Sequence, residues 1–306
     1  MQLRDEILRL KKDRNALILA HYYQESEIQD LADVLGDSLA LAQAAKKTTA
    51  DVIVFCGVHF MAETAKILNP DRTVVIPDLD AGCSLAASCP APLLAKWKHE
   101  HPDHRVVSYI NCSAEVKALS DIICTSSNAE KVIRSFPDDE PILFAPDRNL
   151  GSWLMRKTGR PMELWNGACH VHETFSAERI LECKLDHPDA LFICHPECEE
   201  PVRFHADFVG STNALLKFVQ ENSATQFIVG TESGIIHQMQ KHTLNKTFIP
   251  APGMDETCGC TQCPYMKLNT LEKTLLCLQN LEPRIELDES LRQRALIPLE
   301  RMLSIT

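Results

Sequence analysis

Ala32-Asp33-Val34-Leu35-Gly36-Asp37-Ser38 has two counterparts further along the chain, Ser120-Asp121-Ile122-Ile123-Cys124-Thr125-Ser126 and Ala206-Asp207-Phe208-Val209-Gly210-Ser211-Thr212. Ala32 precedes Ser120 by 88 residues, and Ser120 precedes Ala206 by 86. Near-equal spacing of this kind marks an internal repeat, which has to be recognised before any other pattern is read. The flanks agree with it. An apolar run ending in polar residues precedes each copy, at 16–24, 106–111 and 190–197. After each copy comes a helical stretch, and then another apolar run, at 51–57, 141–146 and 225–230. With the motif counted as a short second strand, each third has three strands.

Short apolar runs alternating with amphipathic helices predict βαβ units whose parallel sheets are buried on both faces. The fold class is therefore α/β: three related αβα units, each three layers thick, packed about a pseudo-threefold axis. The expected units are 1–86, 87–173 and 174–266, and 267–306 is a C-terminal helical segment that closes onto them. In that segment Leu268, Leu271, Leu275 and Leu278 share one apolar helix face.

Composition narrows the function. The 306 residues carry a formal net charge of −11, which argues against nucleic acid as a partner because phosphate backbones require a basic face. The acidic start Met1-Gln2-Leu3-Arg4-Asp5-Glu6 lacks a signal-peptide core, and no apolar run reaches the roughly 18 residues that span a bilayer. The expectation is a soluble cytoplasmic protein, with no membrane partner. Thirteen cysteines are many for a reducing compartment, where metal binding or catalysis is favoured over disulfides. Cys56, Cys124 and Cys194 lie in apolar strand-like runs and read as small buried hydrophobes.

Ligands of open parallel sheets bind beyond the carboxyl ends of the strands. Two polar sets recur there. One follows the opening strand: His21, Tyr22 and Tyr23, then Tyr109 and Asn111, then His195 and Glu197. The other opens the next helix: Ser38, Ser126, Ser211 and Thr212. Taken singly, these hydroxyls read as N-caps. Taken together, they place three helix N-termini where carboxylate or phosphate groups would bind.

After its third strand, each third runs through a loop to a cysteine. Cys83 lies 45 residues after Ser38 and Cys169 lies 43 after Ser126. In the last third Cys258, Cys260 and Cys263 lie 46, 48 and 51 residues after Thr212, so spacing prefers Cys258 without settling the matter. Three soft thiolates suit an Fe–S cluster, zinc or Cu(I). Because Fe–S clusters ordinarily take four cysteines, a three-cysteine site would leave one iron open as a Lewis acid. Two rival readings stand beside this one. The first is another open-iron Fe–S hydro-lyase, and the second a non-enzymatic zinc or redox-sensing protein built on Cys258, Cys260 and Cys263.

As an ordered set, A-H-Y-Y-Q, G-D-S, A-G-C-S-L-A, S-Y-I-N, T-S-S-N, C-H-V-H-E, H-P-E-C, G-S-T and C-P-Y-M-K resemble the quinolinate synthases, iron–sulfur enzymes of de novo NAD biosynthesis. The resemblance covers nearly the whole chain. It implies three pseudosymmetric α/β domains around a central active site and a [4Fe–4S] cluster held by Cys83, Cys169 and Cys263. It further implies condensation of iminoaspartate with dihydroxyacetone phosphate to quinolinate, with loss of phosphate and water. Iminoaspartate would come from an aspartate oxidase or dehydrogenase. Substrate contacts implied by the resemblance fall on His21, Tyr23, Ser38, Tyr109, Asn111, Ser126, His172, His195, Glu197, Ser211 and Thr212. Tyr23 and Glu197 are the implied acid/base groups, and His21 and His195 bind or polarise oxygens. Tyr22 receives no role, Cys258 and Cys260 become spare, and no Schiff-base lysine stands out.

Overall fold

The structure, a computed structural model, describes residues 3–254 and 261–305. Three four-stranded parallel sheets are built in chain order. The first contains β1 (Ala16–His21), β2 (Val34–Gly36), β3 (Val52–Cys56) and β4 (Thr73–Val75). Next come β5 (Arg105–Tyr109), β6 (Ile122–Cys124), β7 (Ile142–Ala145) and β8 (Glu163–Leu164). The third holds β9 (Leu191–Cys194), β10 (Phe208–Val209), β11 (Gln226–Gly230) and β12 (Thr247–Pro250). Strand order is second, first, third, fourth in every sheet, with helices between strands. This is the α/β class that the apolar runs predict.

The repeat has one construction rule. Asp33, Asp121 and Asp207 each accept the backbone N–H of one residue in the opening strand, Ile18, Val106 and Phe192, at 2.8, 2.8 and 2.7 Å. Each returns its own N–H to that residue's carbonyl. A lysine on the helix before the opening strand reaches the same carboxylate: Lys11, Lys98 and Lys184, at 2.6, 3.4 and 3.1 Å. The aspartate thus satisfies an N–H that the short second strand starts too late to pair, and it fixes the register of that strand. These three positions align the thirds residue by residue.

Two details differ from the sequence reading. A fourth strand and a helix (His59–Leu68, Arg148–Thr158 or Ile235–His242) separate the third strand from the cysteine, where a loop is expected. Fourth strands of two to four residues carry too little alternation to be seen in sequence. The hydroxyls also do not cap as a set. Asp37 caps the helix Ser38–Lys47 through Ala40 N at 3.0 Å, and Asn128 holds the N-cap position of Ala129–Arg134. Only Ser211 caps its own helix, Thr212–Glu221.

Cys56, Cys124 and Cys194 are fully buried in β3, β6 and β9. The helix Leu271–Asn280 places Leu278 in the core beneath the first sheet, with Leu271 and Leu275 against the same cluster. Leu268 precedes that helix in a 3₁₀ turn and packs on a different cluster. A further helix, Glu289–Ser304, lies against the helix Ala114–Leu119 and β6, burying Ala295, Leu299 and Met302. None of the helices among the described residues is long and apolar enough to cross a membrane.

Candidate active site

The carboxyl ends of the three sheets converge on one cavity of about 770 Å³, including its mouth. Aligned on the three aspartates, its walls form four levels, each with one residue from every third. His21, Tyr109 and His195 stand three residues after Ile18, Val106 and Phe192, and Tyr23, Asn111 and Glu197 follow two further on. Ser38, Ser126 and Thr212 make the third level. All nine line the cavity.

The fourth level consists of the cysteines, and a backbone hydrogen bond identifies them. His59, Arg148 and Ser233 are equivalent positions after the third strand. Their N–H groups donate to Ala81, Gly167 and Thr261 carbonyls at 2.7, 2.8 and 3.2 Å. Cys83, Cys169 and Cys263 each lie two residues beyond that bond, and all three line the cavity. Cys258, which spacing prefers, and Cys260 lie outside the described residues; Cys263 is the cysteine of the last third that this bond aligns with the other two.

The first two levels are tightly bonded. Tyr23 N donates to His21 Nδ1 at 3.2 Å, and Glu197 N donates to His195 Nδ1 at 3.3 Å. Both rings therefore carry their proton on Nε2. That of His195 lies 3.2 Å from Ser126 Oγ. Burial pulls both imidazoles down to about 3, so each is a neutral N–H donor.

Tyr109 donates to Glu197 Oε1 at 2.5 Å. Glu197 Oε2 lies 2.9 Å from His172 Nδ1, an ion-pair contact whose angle falls outside hydrogen-bond geometry. Burial by itself would raise the Glu197 carboxyl. The imidazoles of His195 and His172 and the Tyr109 hydroxyl outweigh it and hold the group below the usual carboxylate range. His172 Nε2 lies 3.0 Å from Thr231 Oγ1, which lies 2.7 Å from the Tyr23 hydroxyl. Tyr23 in turn meets Thr212 Oγ1 at 3.0 Å. A continuous chain of polar contacts thus runs from Thr212 through Tyr23, Thr231, His172 and Glu197 to Tyr109. Burial, followed by the Glu197 charge, holds both tyrosine hydroxyls well above their ordinary range, so they remain protonated.

Ser211 is the one expected contact that does not line the cavity. Its hydroxyl lies 2.9 Å from Ser127 Oγ, and Ser127 donates to Asp37 Oδ2 at 2.7 Å. These three residues join the thirds just behind the hydroxyl level. Tyr22 is buried in a core cluster of the third sheet. Thr231 and Glu232 belong to the site but carry no repeat signature in the sequence. Their equivalents, Gly57-Val58 and Pro146-Asp147, share no residue type with them. Only alignment of the third strands reveals them.

The three cysteines are free thiols, partly accessible to the cavity yet enclosed deep in the chain. Burial pushes Cys83 up to about 12, helped by its neighbour Cys263. Cys169 is driven well above its ordinary range by burial, Glu197 and Cys83, and Cys263 is raised by burial. The backbone N–H groups of Ala86, His172 and Met266, three residues on, oppose the rise. Buried thiols from three thirds that share one cavity are soft ligands of the kind that fit an iron–sulfur group. Cys169, His172 and Glu197 also bring one ligand atom each within 4.8 Å of one another. Two sets of residues could therefore hold a metal group here, Cys169 with His172 and Glu197, and the three cysteines, one from each third.

Residues 5–304 match the profile of the family described as quinolinate synthetase A protein. The quinolinate synthase of Thermosynechococcus vestitus is 62% identical over 297 residues, which is 97% of this chain and 93% of the relative. That of Chloroherpeton thalassium is 58% identical over 306 residues, covering 100% and 95%. The Nostoc punctiforme enzyme is 61% identical over 297 residues, covering 97% and 91%. On sequence identity of this extent, with the family profile spanning nearly its full length, the chain belongs to the quinolinate synthetase A protein family of enzymes.

Proposed function

We propose that the chain condenses iminoaspartate with dihydroxyacetone phosphate to quinolinate in this cavity, with loss of phosphate and water, using a [4Fe–4S] cluster on Cys83, Cys169 and Cys263. The observation that carries the proposal is the placing of three equivalent free cysteines, one per third, in a single cavity whose other levels are polar. When bound, the cluster would supply Lewis acidity at an iron without a protein ligand.

The rest falls to the chain's own residues. Both substrates are anionic, yet among the described residues neither lysine nor arginine lines the cavity. Anion binding would then rest on Ser38, Ser126 and Thr212 and on the N-termini of the ten-residue helices Ser38–Lys47 and Thr212–Glu221. His21 and His195, neutral with Nε2–H, would donate to carbonyl or carboxylate oxygens. The Asn111 side-chain oxygen is buried without a partner and is available to a substrate donor. Tyr23 and Glu197 are the acid/base groups of this reading. Through Thr231 and His172, and with the 2.9 Å His172–Glu197 contact turned into hydrogen-bond alignment, a proton taken at one could be returned at the other without crossing bulk water.

The test is direct. Reconstituted protein under anaerobic conditions, given iminoaspartate formed in situ and triose phosphate, is expected to yield quinolinate by chromatography. A loaded protein that forms no quinolinate would remove the proposal.

A further inference from the structure

We propose that Glu232 and Lys267 form a latch that seats the Cys263 loop against both the third and the first repeats, and so sets how firmly the third thiol holds its metal. The inference rests on the cluster reading above. Glu232 is fully buried at the end of β11 and lines the cavity. Its two oxygens are separately engaged. Oε2 accepts Gly234 N at 2.7 Å, and Oε1 accepts the backbone N–H of Cys263 at 3.3 Å. The approach at Gly234 is close: a Cβ there would lie 2.7 Å from Oε2 and 3.0 Å from the Tyr22 carbonyl.

Lys267 closes the arrangement from the other side. Its ammonium lies 3.3 Å from Glu232 Oε1, donates to the Tyr23 carbonyl at 3.0 Å and stands 3.5 Å from Glu25 Oε1. Lys267 is four residues beyond Cys263, and its backbone N–H returns to the Cys263 carbonyl at 3.3 Å. Between them, Met266 Sδ accepts a hydrogen bond from Gln24 at 3.2 Å. The turn that carries the thiol is thus held to the first repeat and to the third.

No equivalent latch exists beneath Cys83, where the position of Glu232 is Val58. Beneath Cys169 that position is Asp147, whose Oδ1 caps a helix through Leu150 N at 2.7 Å. The Cys263 loop is the longest of the three, and in the second repeat the corresponding turn is tied differently, by an Arg148–Glu173 ion pair in which Glu173 stands four residues beyond Cys169 as Lys267 stands beyond Cys263. Groups that orient a metal ligand are generally worth 10–100-fold in metal affinity. Glutamine at 232 keeps the shape but can accept at only one oxygen, so one of the two N–H donors would face an amide NH₂.

The full-length chain is reconstituted anaerobically and exposed to excess ferrous chelator while iron and sulfide content are followed. The variants are Glu232→Gln, Lys267→Met, Lys267→Arg, the Glu232→Gln/Lys267→Met double variant and Cys263→Ala. Glu232→Gln and Lys267→Met are expected to release iron about 10–100-fold faster than the parent. Lys267→Arg should retain it, and the double variant should be no faster than the worse single one. Parental release rates in both single variants, with Cys263→Ala unable to hold the cluster, would overturn the latch and leave the cluster reading intact. A full iron complement in Cys263→Ala would overturn the cluster reading, and the latch with it. Melting of each apo chain separates positioning from folding. If iron loss in both single variants only follows a lower apo melting temperature, the positioning role is overturned.

Discussion

Replacing Thr231 by valine removes one hydroxyl and almost nothing else, because the two side chains have nearly the same shape. That hydroxyl joins Tyr23, at 2.7 Å, to His172, at 3.0 Å, and the residue is 1% exposed. Tyr23 keeps its bond to Thr212, so its hydroxyl is not orphaned. His172 Nε2 has no such alternative and becomes a buried polar atom without a partner. The cost to stability is about 1–3 kcal/mol, the usual penalty for leaving one buried group unsatisfied. At roughly 2–4 °C per kcal/mol for chains somewhat smaller than this one, the melting temperature should fall by no more than about 2–12 °C. The effect on turnover should be much larger. With proton exchange between Tyr23 and Glu197 interrupted, kcat should fall by about 10²–10⁴, the range expected when acid–base assistance is lost. Iron and sulfide content should stay at the parental level, since the Thr231 hydroxyl bonds Tyr23 and His172 rather than a proposed ligand. Thr231→Ser, which restores the hydroxyl, should recover most of the rate. The assay is anaerobic quinolinate formation at saturating triose phosphate, with iron measured on the same sample. A Thr231→Val variant with full iron and kcat within about threefold of the parent would refute the relay, because threefold is only ~0.7 kcal/mol of barrier.

Cys83→Ala, Cys169→Ala and Cys263→Ala should each fail to retain a full iron complement after reconstitution; full iron in any one removes that residue from the ligand set. Tyr109→Phe takes away the 2.5 Å hydrogen bond that helps hold Glu197 ionised, so the acid limb of the kcat profile should move to higher pH, and an unmoved limb would contradict that role. His21 and His195 fold as neutral rings with pKa values near 3, against about 6.5 when unfolded. Between those values the unfolded chain binds more protons, so their contribution to stability is complete above about pH 6.5 and lost as pH falls towards 3. Chemical denaturation of the apo His195→Gln variant across that window should show a shallower acid slope than the parent. Ser127→Ala should lower stability by about 1–3 kcal/mol through the bonds to Asp37 and Ser211, measured as a shifted denaturation midpoint.

Most of the architecture is written in patterns that survive repetition. The Asp33, Asp121 and Asp207 motif is visible because each copy performs the same backbone task, and the long opening and third strands are visible because both faces are buried. Strands β4, β8 and β12 are too short to show alternation, and the helices before them blur into what reads as loop. Within the site, His21, Tyr23 and Glu197 stand out as polar residues ending apolar runs. Thr231 and Glu232 have the same placement, yet their counterparts Gly57-Val58 and Pro146-Asp147 hide the equivalence. Ser211 and Thr212 are adjacent in sequence and alike in chemistry, and only the direction of the helix start separates the one facing the cavity from the one facing Ser127.

The four levels of the cavity differ in how far they keep their threefold likeness. The Ser38, Ser126 and Thr212 level is nearly uniform, the His21, Tyr109 and His195 level is two parts in three, and Tyr23, Asn111 and Glu197 are all different. Only the cysteine level is identical throughout. The cysteines would, in the proposed reading, hold one cluster, for which three identical ligands serve, whereas a product built from two unlike molecules would give the walls that touch it no reason to match. In the proposed reading, likeness among the repeats is retained in proportion to the symmetry of what each level holds.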